Sequence, residues 1–134
     1  MASDIPVLPE CEQMYKELQA NEFQYIIYKI DMPNSEFIVD EPSRNKNWNE
    51  FVYNLPEDEP RLIVYNFQFE RDGVARTKII FINWVPKPAP MEYKKVQGAA
   101  KGTLKQSLKV VGPEIQAEWP SELIYETVLE RVAR

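Results

Sequence analysis

The sequence predicts an α/β fold: one domain with a central sheet of five or six strands between layers of helices. Helix-like and strand-like segments follow one another in the order α-β-β-α-β-β-α-β-α. Residues 79–84 are apolar at almost every position, as expected of a strand that is covered on both faces. The chain has 134 residues, 44% of them hydrophobic, which suits a single core. We therefore expect one domain over residues 1–134, with a flexible N-terminal segment at residues 1–8.

The first three elements are a short helix and a hairpin. A helix is predicted over residues 10–19, because apolar side chains recur there at helical spacing, namely Cys11, Met14, Tyr15 and Leu18. Residues 23–30 form a dense aromatic and β-branched run. A turn at residues 32–35 and a strand at residues 36–39 follow, so these segments predict a hairpin.

A second helix and a second pair of strands come next. Asn47, with Glu50 three residues later, is typical of a helix start, and Pro56 sets its end. A strand is predicted from Arg61 to Phe69, with one apolar face made by Ile63, Tyr65, Phe67 and Phe69. Residues 71–76 are predicted as a hairpin loop that leads into the strand at residues 79–84.

The last third is mainly helical. A long polar helix is predicted over residues 91–111, with Pro90 in its first turn, where a missing N–H has no cost. A short strand follows at residues 115–117. Ser121 is then predicted to cap a terminal helix with an apolar stripe of Ile124, Val128 and Val132.

Composition excludes several functional classes. The chain contains no His, which excludes a Ser-His-Asp triad, His-ligated zinc and histidine switches. Its single Cys excludes an internal disulfide and suits a reducing compartment. A net charge of −5 argues against nucleic-acid binding. No signal pattern or membrane-length apolar run is present, so we expect a soluble intracellular protein with no cofactor, no metal site and no enzymatic activity.

The charge is distributed unevenly. Residues 1–70 contain 5 basic and 14 acidic residues, whereas residues 71–113 contain 9 basic and 2 acidic ones. A basic segment in an acidic protein indicates a focused site for an acidic partner. The acidic cluster at residues 57–59 could indicate a cation site, but it lacks the spacing of a calcium loop, and a solvated turn is the favoured interpretation.

The long helix is predicted to present a lysine ridge. At 100° per residue, one side carries Lys94, Gly98, Lys101 and Lys105, and the opposite side carries Val96, Ala100, Leu104 and Val111. An ordinary solvated helix face is the alternative interpretation. Gly98 and Gly102 each cost about 1 kcal/mol in a helix, and close approach of a partner would offset that cost. A local kink of the helix at the glycines is the alternative explanation.

The junction before the long helix has the most distinctive pattern. It reads Ile82-Asn83-Trp84-Val85-Pro86-Lys87-Pro88-Ala89-Pro90 and resembles the Trp-x-Pro-x-x-Ala-Pro segment that opens the actin-binding helix of the actin-depolymerising factor (ADF)/cofilin family. Further segments are similar to the same family, namely Met1-Ala2-Ser3, Leu55-Pro56-Glu57, Arg76-Thr77-Lys78 and residues 128–134. The resemblance spans nearly the whole chain.

This resemblance implies a central mixed sheet between helices and an actin-binding protein that promotes disassembly and severing of filaments. It implies a face that binds both monomer and filament, formed by the N-terminal segment, the long helix and the stretch before the last helix. The residues carried over to this face are Ser3, Lys94, Lys95, Gly98, Lys101 and Lys105. It also implies a second face that binds filaments only, carried by Arg76, Lys78, Glu130, Arg131 and Arg134.

The resemblance also sets expectations for regulation. Ser3 matches a serine whose phosphorylation inactivates family members. Glu92 stands where the family has a basic residue, so we expect weaker monomer binding and severing. Gln19-Ala20-Asn21-Glu22 replaces a basic cluster of the family, so we expect weak phosphoinositide binding. The protein is expected to be monomeric, cytoplasmic and cytoskeleton-associated, with a nuclear pool as an open alternative.

One competing identification comes from a relative on the same fold. Residues 58–65 are similar to glia maturation factor, a binder of the Arp2/3 complex that dissolves filament branches. That relative lacks the junction at Trp84 and the C-terminal match, so it is the alternative function.

Overall fold

A computed structural model describes residues 5–133. Five strands form one mixed sheet in the order β2-β1-β3-β4-β5. The strands are β1 (Tyr25–Asp31), β2 (Glu36–Ser43), β3 (Arg61–Arg71), β4 (Val74–Trp84) and β5 (Glu114–Ala117). The helices are α1 (Pro9–Gln19), α2 (Trp48–Tyr53), α3 (Met91–Leu108) and α4 (Tyr125–Val132), with a 3₁₀ turn at Pro120–Leu123. The predicted fold class and element order are confirmed, with five strands.

The sheet is antiparallel except at one edge, where β5 runs parallel to β4. The β3–β4 hairpin is longer than predicted, because the loop expected at residues 71–76 is only the two residues Asp72 and Gly73. Both have positive φ, 54° and 76°, which suits the tight turn that joins twisted antiparallel strands. Paired strand therefore continues to Arg71 and Val74 at its tip.

Each face of the sheet carries its own apolar core. The core on the side of α2 and α4 contains the predicted face of β3 and alternate residues of β4, including Ile80, Ile82 and Trp84. The core on the side of α1 and α3 contains Leu62, Val64 and Phe81 with Leu104. Because successive side chains of a strand point to opposite faces, β4 supplies both cores, as its apolar run predicts.

The cap predicted for α2 is confirmed, and the start predicted for α4 is wrong. The side chain of Asn47 accepts a hydrogen bond from the Glu50 N–H at 3.0 Å. Ser121, by contrast, lies inside the 3₁₀ turn, and Ile124 takes the N-cap position of α4. Ile124 is 51% exposed, so the buried stripe is reduced to Val128 and Val132.

The predicted C-terminal end of α3 is also corrected. Lys109 adopts a left-handed conformation, with φ of 63°, and ends the helix at Leu108. Val111, which was predicted on the apolar face, lies beyond the helix and is 97% exposed. Pro90 occupies the N-cap position rather than the first turn.

The described part of the N-terminal segment, residues 5–8, lies along β2. Phe37 donates its N–H to the Pro6 carbonyl oxygen at 2.9 Å, and Ile5 is buried. Flexibility was predicted for residues 1–8, and this part is packed instead. Beneath it Cys11 is fully buried, and its Sγ lies 3.4 Å from the Phe37 carbonyl oxygen.

Within residues 5–133, no helix has both the length and the apolar character that a membrane span requires. The same residues contain no group of three acidic or cysteine side chains that could hold a metal ion, the acidic cluster at residues 57–59 included.

A close backbone approach gives the first testable prediction. A Cβ at Gly112 would lie 1.8 Å from the Ile79 carbonyl oxygen in β4, so the two backbones would have to separate. We expect Gly112→Ala to lower the free energy of unfolding by about 3 kcal/mol in urea titrations. Gly102→Ala is the control, since nothing lies within 4 Å of the added methyl group, and helix propensity should then raise stability by about 1 kcal/mol. Equal stability of the Gly112→Ala and wild-type proteins would contradict this packing.

Candidate functional site

A buried polar contact fixes the rotation of α3 on the sheet. Gln97 is 2% exposed, and its Nε2 donates to Asn83 Oδ1 in β4 at 2.8 Å. The same nitrogen lies 3.2 Å from the carbonyl oxygens of Arg61 and Trp84. Because an unmatched buried amide is costly, these partners determine which side of α3 faces inward. Ala100, Leu104 and Leu108 complete the buried side.

The opposite side of α3 is lined by small residues and is open. Gly98, Ala99 and Gly102 are exposed, and a methyl group added at either glycine would meet no side chain or neighbouring element of the described chain within 4 Å. Close internal packing therefore does not account for these glycines. At this position the helix backbone is exposed without large side chains above it. This surface is flanked by exposed Lys95 and by Met91, which is 62% exposed.

The predicted lysine ridge needs correction. Lys94, Lys101 and Lys105 do lie on one side of α3, but this side is the flank that faces β5 and not the solvent-facing centre. Lys101 Nζ and Lys105 Nζ donate to the two carboxylate oxygens of Glu114 in β5, at 2.5 and 3.1 Å. Lys94 Nζ donates to the Lys87 carbonyl oxygen at 2.7 Å. These three ammonium groups are thus bound within the molecule.

The group formed by Lys101, Lys105 and Glu114, here called the lysine clasp, carries one net positive charge. Partial burial raises the pKa of the Glu114 carboxyl, but the hydrogen bonds and charges of Lys101 and Lys105 outweigh it and hold the pKa below its usual value. Lys105 Nζ also lies 5.5 Å from the centre of the Phe81 ring, a favourable cation–π distance. The clasp ties α3 to the edge of the sheet at neutral pH.

The second predicted face lies at the opposite end of β4. Its 11 residues extend about 35 Å, with the hairpin tip at one end and the start of α3 near the other. Lys78 Nζ donates to the Val132 carbonyl oxygen at 2.8 Å, and the Arg71 guanidinium donates to the Ala133 carbonyl oxygen. Both side chains satisfy carbonyls at the C-terminal end of α4, where cations also match the helix dipole. The hairpin and α4 therefore form one surface.

The predicted residues of this second face divide into two groups. Arg76, Glu130 and Arg131 are exposed, whereas Lys78 is half-buried and acts on α4. Ser3 and Arg134 lie outside the described residues, so their predicted roles stay predictions.

Sequence reasoning missed three residues that organise these faces. Glu114 lies just outside the strand predicted at residues 115–117, Arg71 lies in the predicted loop, and no role is predicted for Gln97. The two glutamate contacts span 9 and 13 residues along the chain, and the arginine contact spans 62. Only the parallel pairing of β4 with β5 brings the first set together, and helical periodicity contains no information about that pairing.

Comparisons with known proteins identify the family of the chain. Residues 4–133 match the family model described as cofilin/tropomyosin-type actin-binding protein. The cofilin of Schizosaccharomyces pombe is 38% identical over 133 residues, covering 98% of this chain and 97% of that one. The cofilin of Mycosarcoma maydis is 35% identical over 136 residues, covering 100% and 98%.

Solved structures extend the likeness to the fold. The crystal structure of Streptomyces griseoflavus cofilin superposes with a TM-score of 0.89 at 31% identity, and the match covers 96% of each chain. Glia maturation factor from Caenorhabditis elegans superposes with a TM-score of 0.79 at 15% identity, covering 95% of this chain and 94% of that one. At that identity the second likeness concerns the fold alone.

The lysine clasp gives a prediction about pH. Glu114→Gln should lower the free energy of unfolding at pH 7 by about 1 kcal/mol, a modest value because solvent screens the clasp. The pKa of Glu114 is depressed in the folded protein, so its contribution is complete above the unfolded pKa of about 4.5 and is lost as the pH falls through the lower folded pKa. In urea titrations, the free energies of unfolding of the two proteins should therefore differ at neutral pH and converge at acidic pH. Glu41→Gln, an exposed carboxylate on β2, should stay close to wild type at both pH values; an equal effect there would contradict the clasp.

Proposed function

The chain belongs to the cofilin family of actin-binding proteins, and from this premise we propose that it binds actin filaments and monomers and promotes filament disassembly. Family membership rests on the match over residues 4–133 and on relatives with 35–38% identity over nearly the full chain. The alternative function, binding of the Arp2/3 complex in the manner of glia maturation factor, is not favoured, since that relative shares only the fold.

One observation carries the proposed contact surface: the open glycine side of α3. The chain tolerates two glycines within a regular helix, although no internal contact of the described residues requires them. A surface without side chains lets a partner approach the helix backbone closely. We infer that this side enters a narrow cleft on actin and that Lys95 contacts its acidic rim.

The lysine clasp supports a refinement of the predicted roles of Lys94, Lys101 and Lys105. Their ammonium groups already have internal acceptors, so an actin carboxylate would have to compete with Glu114 for Lys101 and Lys105. We propose that these lysines contribute positive potential along the flank of α3 and that Gly98 and Lys95 make the direct contacts.

The second face supports a filament-specific contact. Arg76 on the hairpin and Glu130 and Arg131 on α4 are exposed on one surface that Lys78 and Arg71 hold together. This surface lies about 35 Å along β4 from the start of α3. The two contact surfaces lie on opposite faces of the sheet, with α3 on one face and α4 on the other, so they can reach two subunits of a filament, whereas a monomer would engage only the first.

Binding energy alone can then drive disassembly. If the two surfaces fit one filament geometry better than another, binding shifts the filament population toward that geometry and weakens neighbouring contacts. This mechanism needs no catalytic group. We propose that the protein acts on the cytoplasmic actin cytoskeleton as a monomer and that it binds phosphoinositides only weakly.

The glycine surface gives a direct test. Gly98→Leu should weaken binding to both actin monomers and filaments by at least tenfold, about 1.4 kcal/mol, because the added side chain blocks close approach. Folding stability should not fall, since the position is open and leucine favours helix. Fluorescence titration of monomeric actin and filament co-sedimentation provide the measurements. Gln13→Leu, on the exposed side of α1, is the matched control and should bind normally; normal binding by Gly98→Leu would refute the assignment.

The second face predicts a separation of activities. Arg76→Ala should weaken filament binding about fivefold and leave monomer affinity unchanged, because the arginine is exposed and contacts only the filament in this proposal. Lys78→Ala should also lower stability, since it removes the hydrogen bond to the end of α4. Lys16→Ala, an exposed lysine on α1, controls for the loss of charge. Equal losses of monomer and filament binding by Arg76→Ala would argue against two separate faces.

A further inference from the structure

A groove lies between the end of α2, the β4–α3 junction and the 3₁₀ turn, next to the stretch before α4 that the family resemblance places on the first actin face. It has a volume of about 530 Å³, within the range of ligand-binding clefts. Buried Trp84 and Leu55 form its floor. Its rim carries two of the exposed large apolar side chains of the described residues, Tyr53 at 87% and Trp119 at 50% exposure.

The high exposure of Tyr53 and Trp119 is unusual for aromatic side chains on a surface that binds no partner. Tyr53 ends the short helix α2 and points away from the core that its neighbours Trp48 and Phe51 fill. Its hydroxyl makes no hydrogen bond to any of the described residues, and the Trp119 indole can act only as a donor. Tyrosine and tryptophan side chains exposed in this way are enriched where proteins bind partners.

Proline defines the remaining wall. Pro86, Pro88 and Pro120 line the groove, and none of them has a backbone N–H to offer an occupant. An extended peptide that needed a ladder of backbone hydrogen bonds would therefore find few donors here. A polyproline II segment needs no such ladder, because its carbonyl oxygens project outward and accept from side-chain donors such as tyrosine and tryptophan.

The negative charge of the rim further restricts which kind of peptide can occupy the groove. Glu57 and Glu118 line the groove, and no basic side chain does. Asp58 and Glu59 follow Glu57 on the exposed turn. An occupant with arginine or lysine beside its prolines would complement this rim, whereas an acidic occupant would be repelled.

We propose that this groove binds a basic, proline-rich segment of a partner protein in the polyproline II conformation. The prolines of the segment pack on Tyr53, Trp119 and the Trp84 floor. Its carbonyl oxygens accept hydrogen bonds from the Tyr53 hydroxyl and the Trp119 indole, and its basic residues pair with Glu57 and Glu118. Tyr53 belongs to neither proposed actin face, so it distinguishes this site from actin binding, whereas Trp119 lies in the stretch before α4 that the resemblance places on the first face.

The test uses a fluorescently labelled peptide of Pro-Pro-Leu repeats flanked by arginines, titrated with the full-length protein and followed by anisotropy. We expect a dissociation constant of roughly 10–100 μM. Tyr53→Ala should weaken binding at least tenfold, and Tyr53→Phe, which keeps the ring and loses the hydroxyl, about threefold. Glu57→Gln combined with Glu118→Gln should weaken it about fivefold and reduce its salt dependence.

Controls separate this proposal from the proposed function. Val111→Ala, an exposed apolar position outside the groove, should bind the peptide normally, and Tyr53→Ala should still co-sediment with actin filaments. A peptide flanked by glutamates, or with glycine in place of proline, should not bind. Equal binding of these peptides, unchanged binding by Tyr53→Ala, or no binding at millimolar protein would overturn the proposal. Self-association of the protein through Tyr53 without peptide binding would also overturn it, in favour of a second copy as the occupant.

Discussion

The fold depends on the burial of β4 on both faces of the sheet. Its central residues divide between the two cores, so any displacement of the strand would open both at once. One end carries the hairpin tip that Lys78 and Arg71 fasten to α4. The other end leads through Trp84, whose indole donates to the Pro56 carbonyl oxygen at 2.8 Å, into α3. The strand therefore sets the distance between the hairpin tip and the start of α3.

The electrostatics of α3 show why counting lysines overstates the positive charge of a surface. Three of the basic side chains on this helix are bound to acceptors within the molecule, and two of them share one carboxylate. A partner gains little from a cation that already has a counterion, unless it offers a better one. In the binding mode proposed above, the helix contributes mainly through its shape at the glycines and through the exposed Lys95.

Much of the fold could be predicted, because apolar periodicity reports directly on burial. The faces of β3 and β4 and the cap at Asn47 followed from local patterns. The predictions failed where a distant contact or a single backbone conformation decides the outcome. Left-handed Lys109 shortens α3, two residues suffice for the β3–β4 turn, and the 3₁₀ turn takes Ser121 away from α4. Glu114 reaches its lysines only through the β4–β5 pairing, which residue spacing does not encode.

The burial of Cys11 has a consequence for chemistry that the sequence alone leaves open. Burial raises the pKa of this thiol to about 11, so almost none of it is thiolate at neutral pH. Oxidants and alkylating reagents act on the thiolate, and they can reach this sulfur only when α1 separates from β2. The chain's single cysteine is thus protected from oxidation while α1 is packed on the sheet. Its rate of alkylation therefore measures how often α1 separates from β2.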